Sequence, residues 1–335
     1  MSKRMMRVAM AGVMVAAWGA AELVTAAPAQ AQDAKIAVIL RDFNNPYWRA
    51  LRDGAADEGK KLGLKVVVQA GATETDSAGE NAKIATLSNQ DFTCFAVVPV
   101  NGSNVITPLI PVSRKGIPIL NLDTGLDQQA VDDAGLKVTG FIGSDNAEAG
   151  RLAGEHLLEV TGGNGKVMIL EGTPGEHNGI VRETAFRKVT AGKFTIVAAQ
   201  TGNFERARGL SITESVLRVH PDLVGVFAAN DEMGLGAAQA IANAGRGGQV
   251  KVVSIDGVRE ALDSVKSGVL NGTVSQYPYA EGQMAVQACQ ALARKHSISA
   301  HVTAPIALIS AANVDRAIAA TPRPFEPFAD PFGTP

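Results

Sequence analysis

Residues 35–48, KIAVILRDFNNPYW, decide the fold. Ile36, Ala37, Val38, Ile39 and Leu40 form an unbroken apolar run, as a strand buried on both faces of a parallel sheet requires. The run stops at Arg41 and Asp42, and Asn44, Asn45 and Pro46 follow. Asn before Pro favours a turn, and Pro46 suits the first position of a helix. Tyr47 and Trp48 then fall in that helix's first turn. In an open parallel α/β sheet, ligands bind just past the carboxyl end of a strand. Here a cation and an amide can grip hydroxyls, and a flat ring can cover the apolar C–H face of a small polyol. A helix cap with two aromatic rings packed into the core explains the same residues, and this stretch alone does not separate the two readings.

Composition sets the bounds. A chain of 335 residues is long enough for two domains, and 46% apolar with 19% charged residues describes a globular protein. A net charge of −2 argues against a nucleic-acid footprint. Lys3, Arg4 and Arg7 precede an apolar stretch at 8–20, and Ala29-Gln30-Ala31 fits a small-x-small cleavage pattern. Residues 1–31 therefore read as a cleavable signal peptide, cut near Ala31, that exports the chain to the periplasm. Its apolar stretch is short for a membrane span, and Glu22 follows it. Cys94 and Cys289 lie far apart without metal or redox spacing, and are expected as two buried thiols.

Apolar runs at 36–40, 64–69, 94–98, 117–122 and 138–143 alternate with helical spacing at 46–61, 76–89 and 103–115. Near residue 145 the pattern restarts. Helices are expected at 148–160, 179–189, 205–219, 232–244 and 259–266. Strands are expected at 167–170, 194–200, 223–228, 250–255 and 269–275. A long helix at 279–295 and a strand at 306–309 close the series. Beyond 321, Pro322, Pro324, Pro327, Pro331 and Pro335 forbid regular structure, so an extended or disordered tail is expected. The chain thus reads as two similar α/β halves with parallel sheets. Strands end on Asn45 and Asp123 in the first half and on Asn230 and Asp256 in the second. One such residue is an ordinary cap; a repeated set at the same edge of two sheets suggests lobes facing each other across a cleft.

The segments NNPYW (44–48), LNLD (120–123), GSDN (143–146), GNFERARGL (202–210), FAANDEM (227–233), VSIDG (253–257) and TVSQYP (273–278) come in this order. Together they resemble the periplasmic sugar-binding proteins of ABC importers, of the ribose- and allose-binding type. The resemblance implies two Rossmann-like lobes joined by a three-strand hinge. The first would hold 33–143 and 277–303, the second 144–276 and 304–320, with crossings near Ser144, Gln276 and Ala304. It implies a monomer without cofactor or metal that closes on a monosaccharide or polyol. The partner would be a membrane permease, and in some members a chemoreceptor. Arg41, Asn45, Tyr47 and Trp48 would line the site with Asp123, Arg182, Phe204, Asn230, Asp256 and Gln276. Phe204 would face Trp48 across the ligand, with Asp123 and Arg182 gripping hydroxyls. The ribose-type pattern has an Arg after the LNLD segment, where this chain has Thr124; Arg41 instead matches a Lys of the allose type. That favours a hexose of the allose kind, another pentose, or a linear or cyclic polyol. His177 is expected to be an exposed loop residue.

Other classes fit less well. Gly234-Leu235-Gly236 opens a helix but lacks the third glycine of a dinucleotide fingerprint, and Asp231 and Glu232 sit where pyrophosphate would go. Gly163-Asn164-Gly165-Lys166 precedes a strand rather than a helix, so it is no phosphate loop. Asp123 and Asp256 could form a glycosidase acid–base pair, which nothing else in the sequence supports. A transcription regulator of the lac-repressor kind would carry a basic helix-turn-helix where this chain has an export signal. A receptor domain for a signalling molecule such as a furanosyl autoinducer remains open.

Overall fold

The structure, a computed structural model, describes residues 34–332. The expected signal peptide lies outside them. The apolar runs become short buried strands, and the intervening segments become the helices that cover them. In the first half, β1 (Lys35–Leu40), β2 (Lys65–Ala70), β3 (Cys94–Val97), β4 (Ile119–Leu122) and β5 (Gly140–Ser144) alternate with α1 (Pro46–Leu62), α2 (Ser77–Ser88), α3 (Ile106–Arg114) and α4 (Gln128–Ala134). The second half runs α5 (Asn146–Thr161), β6 (Gly165–Glu171), α6 (His177–Val189), β7 (Phe194–Thr201), α7 (Arg206–Val219), β8 (Leu223–Ala228), α8 (Asp231–Asn243), β9 (Lys251–Asp256), α9 (Arg259–Lys266) and β10 (Gly272–Gln276). The chain then forms α10 (Pro278–Ala293), β11 (His301–Ala304), β12 (Ile306–Ile309) and α11 (Val314–Ala320). Short α4, β11 and α11 escaped the sequence reading, because seven or four residues hold too few apolar positions to show a period.

The strands build two six-stranded sheets of matching order, β2-β1-β3-β4-β5-β11 and β7-β6-β8-β9-β10-β12. All pairings are parallel except β10 with β12. Parallel strands are covered by helices on both faces, which explains the unbroken apolar runs. Separate apolar layers form around Phe95, Ile119 and Leu109 on the first sheet and around Phe186, Phe227 and Val253 on the second. The chain passes from the first sheet to the second after β5 and returns through α10 to β11. It crosses again between β11 and β12, which only Pro305 separates. The same order in both sheets puts both sets of strand carboxyl ends, and the loops that follow them, at corresponding edges.

Two features fix α10 against the first sheet. A side chain at Gly54 of α1 would sit 2.0 Å from the Tyr279 carbonyl oxygen, so only glycine lets α1 and α10 approach this closely. Cys94 on β3 is disulfide-bonded to Cys289 on α10, with Cα atoms 5.8 Å apart. This corrects the expectation of two buried thiols. The partners are 195 residues apart, and the loop they close contains five of the second sheet's six strands, β6 to β10. The tail from Thr321 contains no helix or strand to Phe332, and its Phe325, Phe328 and Phe332 pack against the main apolar cluster. It is an extended arm.

Candidate functional site

Between the carboxyl edges of the two sheets lies a narrow cleft. Its walls include Arg41, Asn45, Tyr47, Trp48 and Asp123 from the first sheet's edge, and Arg182, Phe204, Asn230 and Asp256 from the second's. Nine of the ten residues singled out from the sequence are thus in one place. The tenth, Gln276 at the end of β10, is buried beside the cleft, and its Oε1 accepts from Arg182 Nη2 at 2.8 Å. Three further residues, Glu74, Glu176 and Asn178, also line the cleft. The sequence hid them because each sits next to a turn or helix start, where polar residues are routine. His177 is exposed at the start of α6.

Both readings of the opening stretch hold for Asn45. Its Oδ1 accepts from Tyr47 N at 2.9 Å and caps α1, while its Nδ2 donates to Glu74 Oε1 at 2.6 Å. Trp48 also donates its indole N–H to Glu74 Oε1, at 2.7 Å. Among the described residues Glu74 Oε2 has no hydrogen-bond partner, so one carboxylate oxygen of a buried acid can take a ligand hydroxyl. Burial pushes the Glu74 carboxyl up to about 7, against the pull of nearby Arg41. Tyr47 and Trp48 stand edge to face, with ring centres 4.7 Å apart. The Tyr47 hydroxyl donates to Asp123 Oδ1 at 2.7 Å.

Three of the lining residues have left-handed backbones that L side chains seldom adopt: Asp123 (φ 54°), Phe204 (φ 62°) and Asp256 (φ 135°). Each costs about 1–3 kcal/mol and persists only where its surroundings hold it, a pattern that marks ligand sites. Phe204 has room because residue 172 is glycine; a Cβ there would lie 2.2 Å from the Phe204 ring. Asn230 caps α8 through its Oδ1 and donates its amide to the Phe204 carbonyl at 3.3 Å, fixing the loop that carries the ring.

Arg182 is held on three sides. Nε donates to Asn146 Oδ1 at 2.7 Å, Nη1 to the Ala229 carbonyl at 2.8 Å and Nη2 to Gln276. Asp256 lies 3.8 Å from Nη1. Burial raises the Asp256 carboxyl well above its ordinary range; Arg182 opposes this, while Asp231 and Asp123 add to it. Beneath the second sheet's edge, Asp231 accepts from Ser254 Oγ at 2.5 Å, Thr273 Oγ1 at 2.7 Å and Val258 N at 2.8 Å, tying β9, β10 and the loop before α9 to α8. A fixed frame of this kind lowers the entropy lost on ligand capture.

The chemistry of the cleft is that of polyol recognition. Carboxylates accept from hydroxyls, a guanidinium donates, amides do both, and the rings of Trp48 and Phe204 offer apolar faces.

The family described as "Periplasmic binding protein domain" matches residues 36–297. The D-allose-binding periplasmic protein of Escherichia coli is 34% identical over 250 residues, covering 73% of this chain and 80% of that protein. The ribose import binding protein of Bacillus subtilis is 30% identical over 273 residues, covering 82% of this chain and 86% of that protein. An ABC transporter periplasmic solute-binding protein from Actinobacillus succinogenes, solved with bound D-allose, superposes with a TM-score of 0.80 at 30% identity. That likeness covers 85% of this chain and all of the other. Two sheets of one order, edge to edge around a polar and aromatic cleft, and a match over most of its length show that this chain belongs to the periplasmic binding protein family.

Proposed function

We propose that this protein captures a monosaccharide or small polyol in the cleft by hinge closure and delivers it to the membrane permease of an ABC importer. The observation that carries the reading is the meeting of Trp48, Phe204, Asp123, Arg182, Asn230 and Asp256 in one buried gap between two facing lobes. The relatives named for D-allose and ribose support the ligand class. Within it, an allose-like hexose is favoured, since Arg41 reaches the cleft and Thr124 adds no second cation there. The lobes are 33–143 with 277–303, and 144–276 with 304–320, moving about the segments near Ser144, Gln276 and Ala304. A cleavable signal ending near Ala31 delivers the chain to the periplasm, where it acts as a monomer. Presentation of the closed form to a chemoreceptor is a further use of the same motion.

The test is a titration. The chain has tryptophan only at positions 18 and 48, and cleavage near Ala31 leaves Trp48 alone, lining the cleft. D-allose, D-ribose, D-arabinose and myo-inositol are added in turn to the purified mature protein while tryptophan emission and melting temperature are followed. At least one is expected to change the emission saturably and to raise the melting temperature by mass action. No response in either measurement to any of the four overturns the proposal.

A further inference from the structure

Arg41 follows β1 of the first sheet, and Glu176 precedes α6 of the second. They meet across the cleft with Arg41 Nη2 2.8 Å from Glu176 Oε1, and both side chains are almost wholly buried, at 3% and 1% exposure. Each is also anchored to its own side. Arg41 Nε donates to the Pro99 carbonyl at 3.0 Å, and Nη2 also donates to Thr124 Oγ1 at 2.6 Å. Glu176 Oε2 accepts from Gly179 N at 2.7 Å, at the start of α6. The Thr124 hydroxyl lies within reach of Asp123 Oδ2 at 3.0 Å and Glu176 Oε1 at 3.3 Å. Two residues on, Asn178 Nδ2 makes a second bridge to the first lobe, donating to Asp123 Oδ2 at 3.0 Å.

These bonds run from protein to protein and need no ligand. A buried ion pair is strongly disrupted when one partner is lost, because the other is left charged without compensation. Opening the cleft returns both groups to water, so the pair acts on the balance between open and closed forms rather than on folding. It also uses up most of Arg41. The guanidinium lies 5.3 Å from the Trp48 ring and 5.9 Å from the Phe204 ring. Its Nη1 stands 3.8 Å from Glu74 Oε2, leaving this one nitrogen for a ligand hydroxyl beside the free carboxylate oxygen. Burial weakens the tendency of Glu176 to ionise, but Arg41, the Gly179 N–H and Arg182 outweigh it and hold the carboxyl below its ordinary range.

We propose that Glu176 is a closure-determining residue, whose carboxylate clasps Arg41 of the opposite lobe and thereby raises the closed population before any sugar binds. This rests on capture by hinge closure. A ligand shifts such an equilibrium only by its differential affinity for the two forms, and a clasp already favouring closure lowers the shift it must supply.

The test compares wild type, Glu176→Gln, Arg41→Gln and the double variant. Spin labels, one on an exposed face of each lobe, report the interlobe distance without sugar. The wild type is expected to show a closed population that all three variants lose. Affinity is then measured for whichever of D-allose, D-ribose, D-arabinose and myo-inositol the wild type binds most tightly. Each single change is expected to weaken binding about 10-fold or more, and the double variant to be no weaker than the poorer single. Equal closed populations in wild type and Glu176→Gln, or additive losses in the double variant, overturn the clasp. A wild type that binds none of the four ligands counts against the proposed function instead, and the ligand-free distances still decide the clasp.

Discussion

Replacing Arg182 with Met tests whether this side chain is the keystone of the second lobe's edge. It donates hydrogen bonds to Asn146, the Ala229 carbonyl and Gln276, and it is the cation beside buried Asp256. Methionine fills similar volume but donates nothing. Each acceptor left without a partner costs about 1–3 kcal/mol, and removing one member of a buried ion pair costs about 3–5 kcal/mol. These overlap, since the same desolvation is counted in both, so a loss of about 4–6 kcal/mol is expected. At about 2–4 °C per kcal/mol for chains of this order, the melting temperature falls by about 10 °C or more. The assay is calorimetry of ligand-free protein at neutral pH. Arg187→Met serves as the control, because Arg187 is exposed and pairs with Glu183 on the surface, where such pairs contribute little. A melting temperature for Arg182→Met within about 2 °C of wild type would refute the reasoning.

Three further outcomes are expected. Asp123→Asn keeps the shape but removes the charge that faces Tyr47, Asn178 and the cleft; sugar affinity should drop about 10-fold to 100-fold, read by isothermal titration, and an unchanged affinity removes Asp123 from the site. Glu74 binds its proton more tightly when folded, at about 7 against an ordinary 4.5, so its contribution to stability is full below about 4.5 and is lost as pH rises through 7. Wild-type melting temperature should therefore decline across that window more steeply than that of Glu74→Gln, by up to about 3 kcal/mol of stability; matching pH profiles would disprove this. Cys94→Ala with Cys289→Ala opens the loop that encloses β6 to β10 and should cost about 2–5 kcal/mol in denaturant unfolding, while an unchanged midpoint would deny the bond a stabilising role.

The sequence by itself determined the layers and most of the cleft. Parallel strands buried on both faces must be apolar throughout, so their ends are visible wherever a polar residue interrupts the run. That is how Arg41, Asn45, Asp123, Asn230 and Asp256 could be picked out, and the sheet order then brings those ends to one edge. Glu176 and Asn178 carry no such signal. Glu176 looks like the helix cap that it also is, and its second role depends on Arg41, 135 residues away. Glu74 is likewise a turn residue until Asn45 and Trp48 converge on it. Gln276 was legible as a strand end, but only packing shows that it holds Arg182 rather than lining the cleft. The disulfide between Cys94 and Cys289 was misread for the same reason: a pairing across 195 residues is settled by how α10 returns to the first sheet. Local patterning reports burial and backbone shape, which neighbours in sequence share. The partner of a charge or a thiol is set by which distant segments the fold brings within a few ångströms, and only the tertiary structure decides that.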